Sequence, residues 1–180
     1  MTQETDTRPR RAGAFTARGH ALTALGAELR PGDPAPDAVL AGKGFVPEPV
    51  RLSDFRGRVL ILSTVPSLDT PTCDRETRRW EQERHAMGSD IEMLTVSNDL
   101  MFAQARWCGA ADVHHTTASA YMNEQFGIDY GVLLAENRLL GRAIFVIDPD
   151  GRLRHVEYVR ELTTEPDYER ALAVAREAAV

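Results

Sequence analysis

The stretch "VPSLDTPTCDRETRRW", residues 65–80, carries Cys73, one of only two cysteines in a chain of 180 residues. A thiol reacts as its thiolate, which is the minor form of a free cysteine at neutral pH. Thr70 followed by Pro71 has the form of a helix start: a hydroxyl residue at the cap, then a proline whose missing N–H the first turn does not need. A helix beginning there places Cys73 in its first turn. Unsatisfied N–H groups and about half an elementary charge of positive potential would stabilise an anion at that position. Thr70 stands one turn ahead, so its hydroxyl can reach the sulfur, or an oxygen beside it, as donor or acceptor. Pro66 and Pro71 remove N–H donors and stiffen the loop leading into the turn. These residue types and spacings leave two readings open: a small buried hydrophobe at a helix start, or a thiol placed to react.

The second cysteine, Cys108, follows 35 positions later, and with His114 and His115 it forms C-x5-H-H. Adjacent histidines do not easily ligate one ion together, and no fourth ligand is plausibly spaced, so a zinc site is not expected. "CDRE" follows Cys73, so the chain has no Cys-x-x-Cys motif. A glycine-rich phosphate loop, a Ser/His/Asp order and HExxH are likewise lacking. None of these motifs implies a bound cofactor.

The elements that must position these groups can be read from periodicity and punctuation. Residues 1–12 are polar and aperiodic and are expected to be a flexible tail, with one domain over 13–180. "AFTARGHALTAL" reads as a hairpin turning at Arg18 to His20, and the proline-rich "RPGDPAPD" as an extended connector. Val59 to Ser63 is a continuous apolar run, the pattern of a strand buried on both faces. A charged helix from Pro71 follows, then a buried strand in "IEMLTVSND". "LMFAQARWCG" reads as a short helix closed by Gly109, and "TASAYMNEQFG" as another ending at Gly127. "RAIFVIDPDGRLRHVEYV" is two strands joined by "DPDG", and a last helix is expected behind Thr164. This order fits an α/β, thioredoxin-like fold: a mixed central sheet flanked by helices, with an N-terminal β-hairpin.

Composition narrows the function. Hydrophobic residues at 43% and charged residues at 27% are those of a soluble globular protein. A net charge of -6 argues against nucleic acid as a partner, since a phosphate backbone selects a basic face. The longest apolar runs fall far short of the roughly 20 residues that span a bilayer. Arg10 and Arg11 are followed by no apolar segment of an export signal, so a cytoplasmic location is expected, with no membrane partner.

"PSLDTPTCDRETRRW" resembles the active-site segment of the peroxiredoxins, P-x-x-x-[T/S]-x-x-C, met here by Pro66, Thr70 and Cys73. The surrounding segments are similar to one subfamily, the bacterial thiol peroxidases. "SNDLMFAQARWCG" resembles its second-cysteine segment, "GRAIFVIDPDG" its arginine-bearing strand, "LTTEPDYERAL" its C-terminal helix, and "ARGHALTALGAELRPGDPAPD" its opening hairpin and connector. The likeness runs from about residue 15 to the C-terminus.

The resemblance implies a thioredoxin-dependent peroxidase acting on hydrogen peroxide and organic hydroperoxides, and a homodimer. Cys73 would be the peroxidatic cysteine, with Thr70 hydrogen-bonding thiolate and peroxide and Pro66 shielding the sulfenic acid. Arg142 would stabilise the thiolate and the charge that develops as the O–O bond breaks. Cys108 would be the resolving cysteine, giving an intramolecular Cys73–Cys108 disulfide. Forming that bond requires Cα atoms within about 7 Å, so local unwinding at Cys73 and around Trp107 and Cys108 is expected, with Gly109 as hinge. Met101 and Trp107 depart from the proline and phenylalanine common in the subfamily, and Trp107 is positioned to retune that opening. Arg138 matches no role. The rival reading is a thiol-based redox sensor or disulfide relay, which would stall after one equivalent of peroxide.

Overall fold

The computed structural model describes residues 8–179. The chain opens with a hairpin of β1 (Arg10–Ala17) and β2 (His20–Leu25). Arg18 and Gly19 both have positive φ, 50° and 81°, which gives the turn the twist that two antiparallel strands need. β1 starts at Arg10, so residues 10–12 are strand and the expected boundary of the tail is corrected toward the N-terminus; residues 1–7 lie outside the described residues. Arg11 holds that end down, donating from Nε to the Gly26 carbonyl at 2.9 Å and from Nη1 to Glu28 at 2.6 Å.

Two short strands, β3 (Val39–Ala41) and β4 (Pro49–Arg51), lead through a 3-10 turn at Leu52–Phe55 to β5 (Val59–Thr64). Then come α1 (Pro71–Arg84), β6 (Ile91–Ser97), α2 (Met101–Ala111), β7 (Thr116–Ser119), α3 (Glu124–Asp129) and β8 (Leu133–Leu134). β9 (Ala143–Ile147), β10 (Leu153–Tyr158) and α4 (Tyr168–Ala178) complete the order. The main sheet has seven strands, β10-β9-β5-β6-β7-β3-β4, with β5, β6 and β7 parallel and the other pairs antiparallel. β8 joins the N-terminal hairpin in a separate three-stranded sheet.

Alternation along β5 divides the core. Leu60 and Leu62 face a cluster with Phe15, Leu25, Phe126 and Phe145, while Val59 and Ile61 face Trp80 of α1 and Leu172 and Ala175 of α4. Each fully buried large apolar side chain contributes about 1.5–3 kcal/mol. Both faces of the central strands are therefore covered, which is why Val59 to Thr64 is buried throughout.

Three expected boundaries are corrected. Gly109 lies inside α2, which continues to Ala111 and ends on Asp112 in the left-handed region at φ 56°. The helix expected over residues 117–127 is a strand followed by a shorter helix, because Thr116 and Thr117 pair with Leu94 and Thr95 and so extend the parallel sheet. The last helix is capped by Asp167, whose carboxylate accepts from the Arg170 N–H, rather than by Thr164.

Candidate active site

Cys73 sits in the first turn of α1, completely buried. Thr70 is the N-cap in extended conformation, and Pro71 occupies the first turn. The hydroxyl of Thr70 makes no cap hydrogen bond to the helix backbone. It lies 2.8 Å from the Cys73 sulfur and 3.0 Å from the Ser67 carbonyl, which holds the hydroxyl against the sulfur. The residue that marks the helix start is thus turned toward the thiol.

Arg142, immediately before β9, reaches the sulfur from the other side. Its Nη2 donates to Cys73 Sγ at 3.2 Å and to the Leu162 carbonyl at 3.0 Å, and its Nη1 donates to Glu76. The side chain is almost wholly buried. Burial works against its charge, but Glu76 and Cys73 outweigh that penalty, and the guanidinium stays protonated. Its backbone is held closely. The Gly141 carbonyl accepts from Thr64 at 2.8 Å, and a Cβ on Gly141 would lie 2.4 Å from the ring of Phe15. The position before the arginine therefore has room only for glycine.

Glu76 is a site residue that the sequence reading missed. It stands one turn after Cys73 within a charged run, yet it is fully buried. It accepts from Ser63 Oγ at 2.7 Å and from the Trp80 indole at 3.4 Å as well as from Arg142. Burial raises its pKa, and the Arg142 charge opposes the rise. Its spacing of three from Cys73 places both on one side of the helix, the one signal available beforehand. Glu81 is the other buried acid of the run. Burial pushes its pKa upward, but hydrogen bonds from Arg84 and from His115 bring it down to about 2. Its partner His115 sits between Glu81 and the Thr95 hydroxyl, each 2.9 Å away.

Pro66, Thr70, Pro71 and Thr72 border a cleft of about 480 Å³ beside the buried sulfur, its remaining wall largely Ala17, Leu22, Leu134, Leu139 and Leu162. Cys108 lies in α2, near its C-terminal end, and is free and buried like Cys73. Its sulfur is 3.5 Å from the Thr117 hydroxyl, and burial pushes the thiol pKa up against that hydrogen bond. Cys73 and Cys108 belong to one apolar cluster with Val65, Leu68, Trp107, Ala111 and Val113, though each sulfur is engaged by different partners. Arg138 is half exposed and pairs with Glu124. Among the expected site residues, Cys73, Thr70 and Arg142 meet directly, Pro66 borders the adjoining cleft, and Cys108 lies on α2 in the same apolar cluster as Cys73, its sulfur against Thr117.

A sulfur held between a hydroxyl and a guanidinium at a helix N-terminus can attack an electrophilic oxygen, with both donors placed for the charge that moves onto the leaving oxygen. The Redoxin family model matches residues 30–172. The chain is 42% identical over 166 residues to a thiol peroxidase of Halalkalibacterium halodurans, covering 92% of this chain and 98% of that one. Against a thiol peroxidase of Bacillus subtilis it is 41% identical over 163 residues, covering 90% and 96%. A crystal structure of a peroxiredoxin-like protein from Aquifex aeolicus superposes with a TM-score of 0.84 at 34% identity, covering 95% of this chain and 98% of that one. A thiol peroxidase from Chromobacterium violaceum, at 19% identity and a TM-score of 0.78 over 91% of this chain and 95% of that one, shares the fold.

Proposed function

Since this chain belongs to the Redoxin family, and within it to the thiol peroxidases, which reduce a peroxide with thiol electrons, we propose that Cys73 is its peroxidatic cysteine and Cys108 the cysteine that resolves it. The observation that carries this reading is the Cys73 sulfur, held by Thr70 at 2.8 Å and Arg142 at 3.2 Å in the first turn of α1, beside a cleft. The thiolate attacks the terminal oxygen of ROOH, the O–O bond breaks, and the alkoxide leaves as ROH after taking a proton. Cys73 becomes a sulfenic acid. Arg142 stabilises the thiolate and then the charge on the departing oxygen, Thr70 orients the peroxide, and Pro66 keeps water from the sulfenic acid.

The Cys108 thiol then attacks the sulfenic sulfur, forming the Cys73–Cys108 disulfide and releasing water. Cys108 is buried on α2, so the C-terminal turns of that helix must open before its sulfur reaches Cys73, and burial pushes its pKa up until they do. The disulfide keeps Cys73 on the reversible rung of the oxidation ladder. Thioredoxin is the proposed external dithiol, in keeping with a chain that carries no Cys-x-x-Cys of its own. The apolar wall of the cleft supports organic hydroperoxides beside hydrogen peroxide.

The proposed homodimer is supported by exposed apolar side chains, among them Phe45 and Phe102, whose ring centroids lie 6.1 Å apart. No helix among the described residues is long and apolar enough to cross a membrane, in keeping with the proposed cytoplasmic location.

The test is mass spectrometry after one equivalent of peroxide. An intramolecular Cys73–Cys108 link in the wild-type chain, with peroxidase activity lost in Cys73→Ser, is expected; activity that survives Cys73→Ser would refute the assignment.

A further inference from the structure

The residue after one cysteine and the residue before the other are tied together. The Trp107 indole N–H donates to Asp74 Oδ1 at 3.2 Å. Asp74 also accepts from Arg78, whose Nε lies 3.1 Å from each carboxylate oxygen. Arg78 then crosses to α2, where its guanidinium carbon lies 5.5 Å from the Trp107 ring centroid and its Nη1 donates to the Ala111 carbonyl at 3.1 Å. That carbonyl is in the last turn of α2, where helix acceptors lack partners of their own and a cation is favourable. Asp74 and Arg78 are one turn apart on α1, and Trp107 and Ala111 one turn apart on α2. The four groups form a closed clasp between the first turns of one helix and the last turns of the other.

We propose that this clasp, acting through the helices that carry the cysteines, sets the rate at which Cys108 resolves oxidised Cys73. The inference rests on the two-cysteine cycle proposed above. Opening the C-terminal part of α2 must break the indole–carboxylate hydrogen bond, the guanidinium–ring contact and the Arg78–Ala111 bond together. None of them touches the Cys73 sulfur, so the first oxidation proceeds without disturbing them. The clasp therefore slows only the second step. While it holds, the sulfenic acid waits, and a second ROOH can convert it to sulfinic acid, again releasing ROH. Asp74, Arg78 and Trp107 are positioning residues for resolution. They set how much peroxide the enzyme tolerates before it is driven into a dead-end form.

Trp107→Phe tests this while keeping an aromatic side chain at the position. It keeps a ring beneath Arg78, removes the one N–H, and leaves Asp74 paired with Arg78. Rapid-quench mass spectrometry should show the Cys73–Cys108 disulfide forming roughly ten- to a hundredfold faster, as loss of one hydrogen bond to a charged group implies. The sulfinic fraction at a fixed peroxide excess should fall by a similar factor, and the rate of first oxidation should not change. Asp74→Ala should act in the same direction, and the double variant should give less than the product of the two effects, because the bond can be removed only once. Wild-type resolution rates in Trp107→Phe, or effects that multiply in full, would overturn the clasp while leaving the cycle intact. A wild-type chain that forms no Cys73–Cys108 disulfide would overturn the cycle and the clasp with it.

Discussion

Replacing Arg142 with lysine separates the charge of this side chain from its shape. One guanidinium serves three acceptors at once: Glu76 from Nη1, and the Cys73 sulfur and Leu162 carbonyl from Nη2. A lysine ammonium is a compact point charge and cannot span the carboxylate and the sulfur together. It keeps Glu76 compensated, so the roughly 3–5 kcal/mol lost when a buried pair is broken outright is avoided. The ammonium will settle on the carboxylate, the harder anion, and the sulfur will keep Thr70 but lose its cationic donor. Removing one preorganised donor from a developing anion costs about 2.7–4 kcal/mol, or 10²–10³ in rate. The second-order rate constant for Cys73 oxidation should therefore fall by at least about a hundredfold. Competition for limiting peroxide against a second peroxidase of known rate measures that step alone, free of resolution and recycling. Losing one or two charge-assisted hydrogen bonds should also lower the melting temperature by about 5–10 °C. A folded Arg142→Lys protein that oxidises within threefold of wild type would show that charge alone suffices and that the guanidinium fork spanning Glu76 and Cys73 is incidental.

Gly141→Ala should destabilise the fold by about 1–3 kcal/mol, read by denaturant unfolding, because the new methyl meets the buried Phe15 ring at 2.4 Å. Cys108→Ser should leave the first oxidation of Cys73 at its wild-type rate but abolish recycling through thioredoxin; sustained thioredoxin-coupled turnover would remove its resolving role. Acid unfolding should report Glu81. Its carboxylate is held at about 2 in the folded state against an ordinary 4.5, so the stability it contributes is complete above about 4.5 and lost as pH falls toward 2. Glu81→Gln should flatten the acid limb of the stability curve over that window, and an unchanged limb would show that the carboxylate carries no such linkage.

The parts of the site that are local in sequence were the legible ones. Thr70, Pro71 and Cys73 announce a helix start because capping and proline chemistry act over three or four residues. Arg142 is 69 positions from Cys73, and only its segment's resemblance to a family distinguished it from other arginines. Glu76 was hidden by its neighbours. In a run where most positions are charged, nothing in the residue types tells which carboxylate turns inward, and Arg142, the group that makes its burial tolerable, lies on another element. The same limit explains residues 117–119, where the local pattern suggested helix and a parallel partner strand made it sheet. Strands with continuous apolar runs, such as β5 and β9, were readable because burial on both faces leaves no other pattern available.

The distance between Cys73 and Arg142 along the chain has a consequence for synthesis. During translation from the N-terminus, the cysteine and the threonine beside it are made well before the arginine. Until β9 has docked against β5, with its register of Thr64 opposite Ala143, the Arg142 guanidinium does not reach the sulfur. A nascent chain therefore carries an unarmed thiol, and the site is completed only when one of the last strands is laid down. Under the roles proposed for Cys73 and Arg142, reactivity is in this sense a certificate of finished folding: a truncated or misfolded chain keeps Cys73 but lacks the guanidinium that would turn it on peroxide.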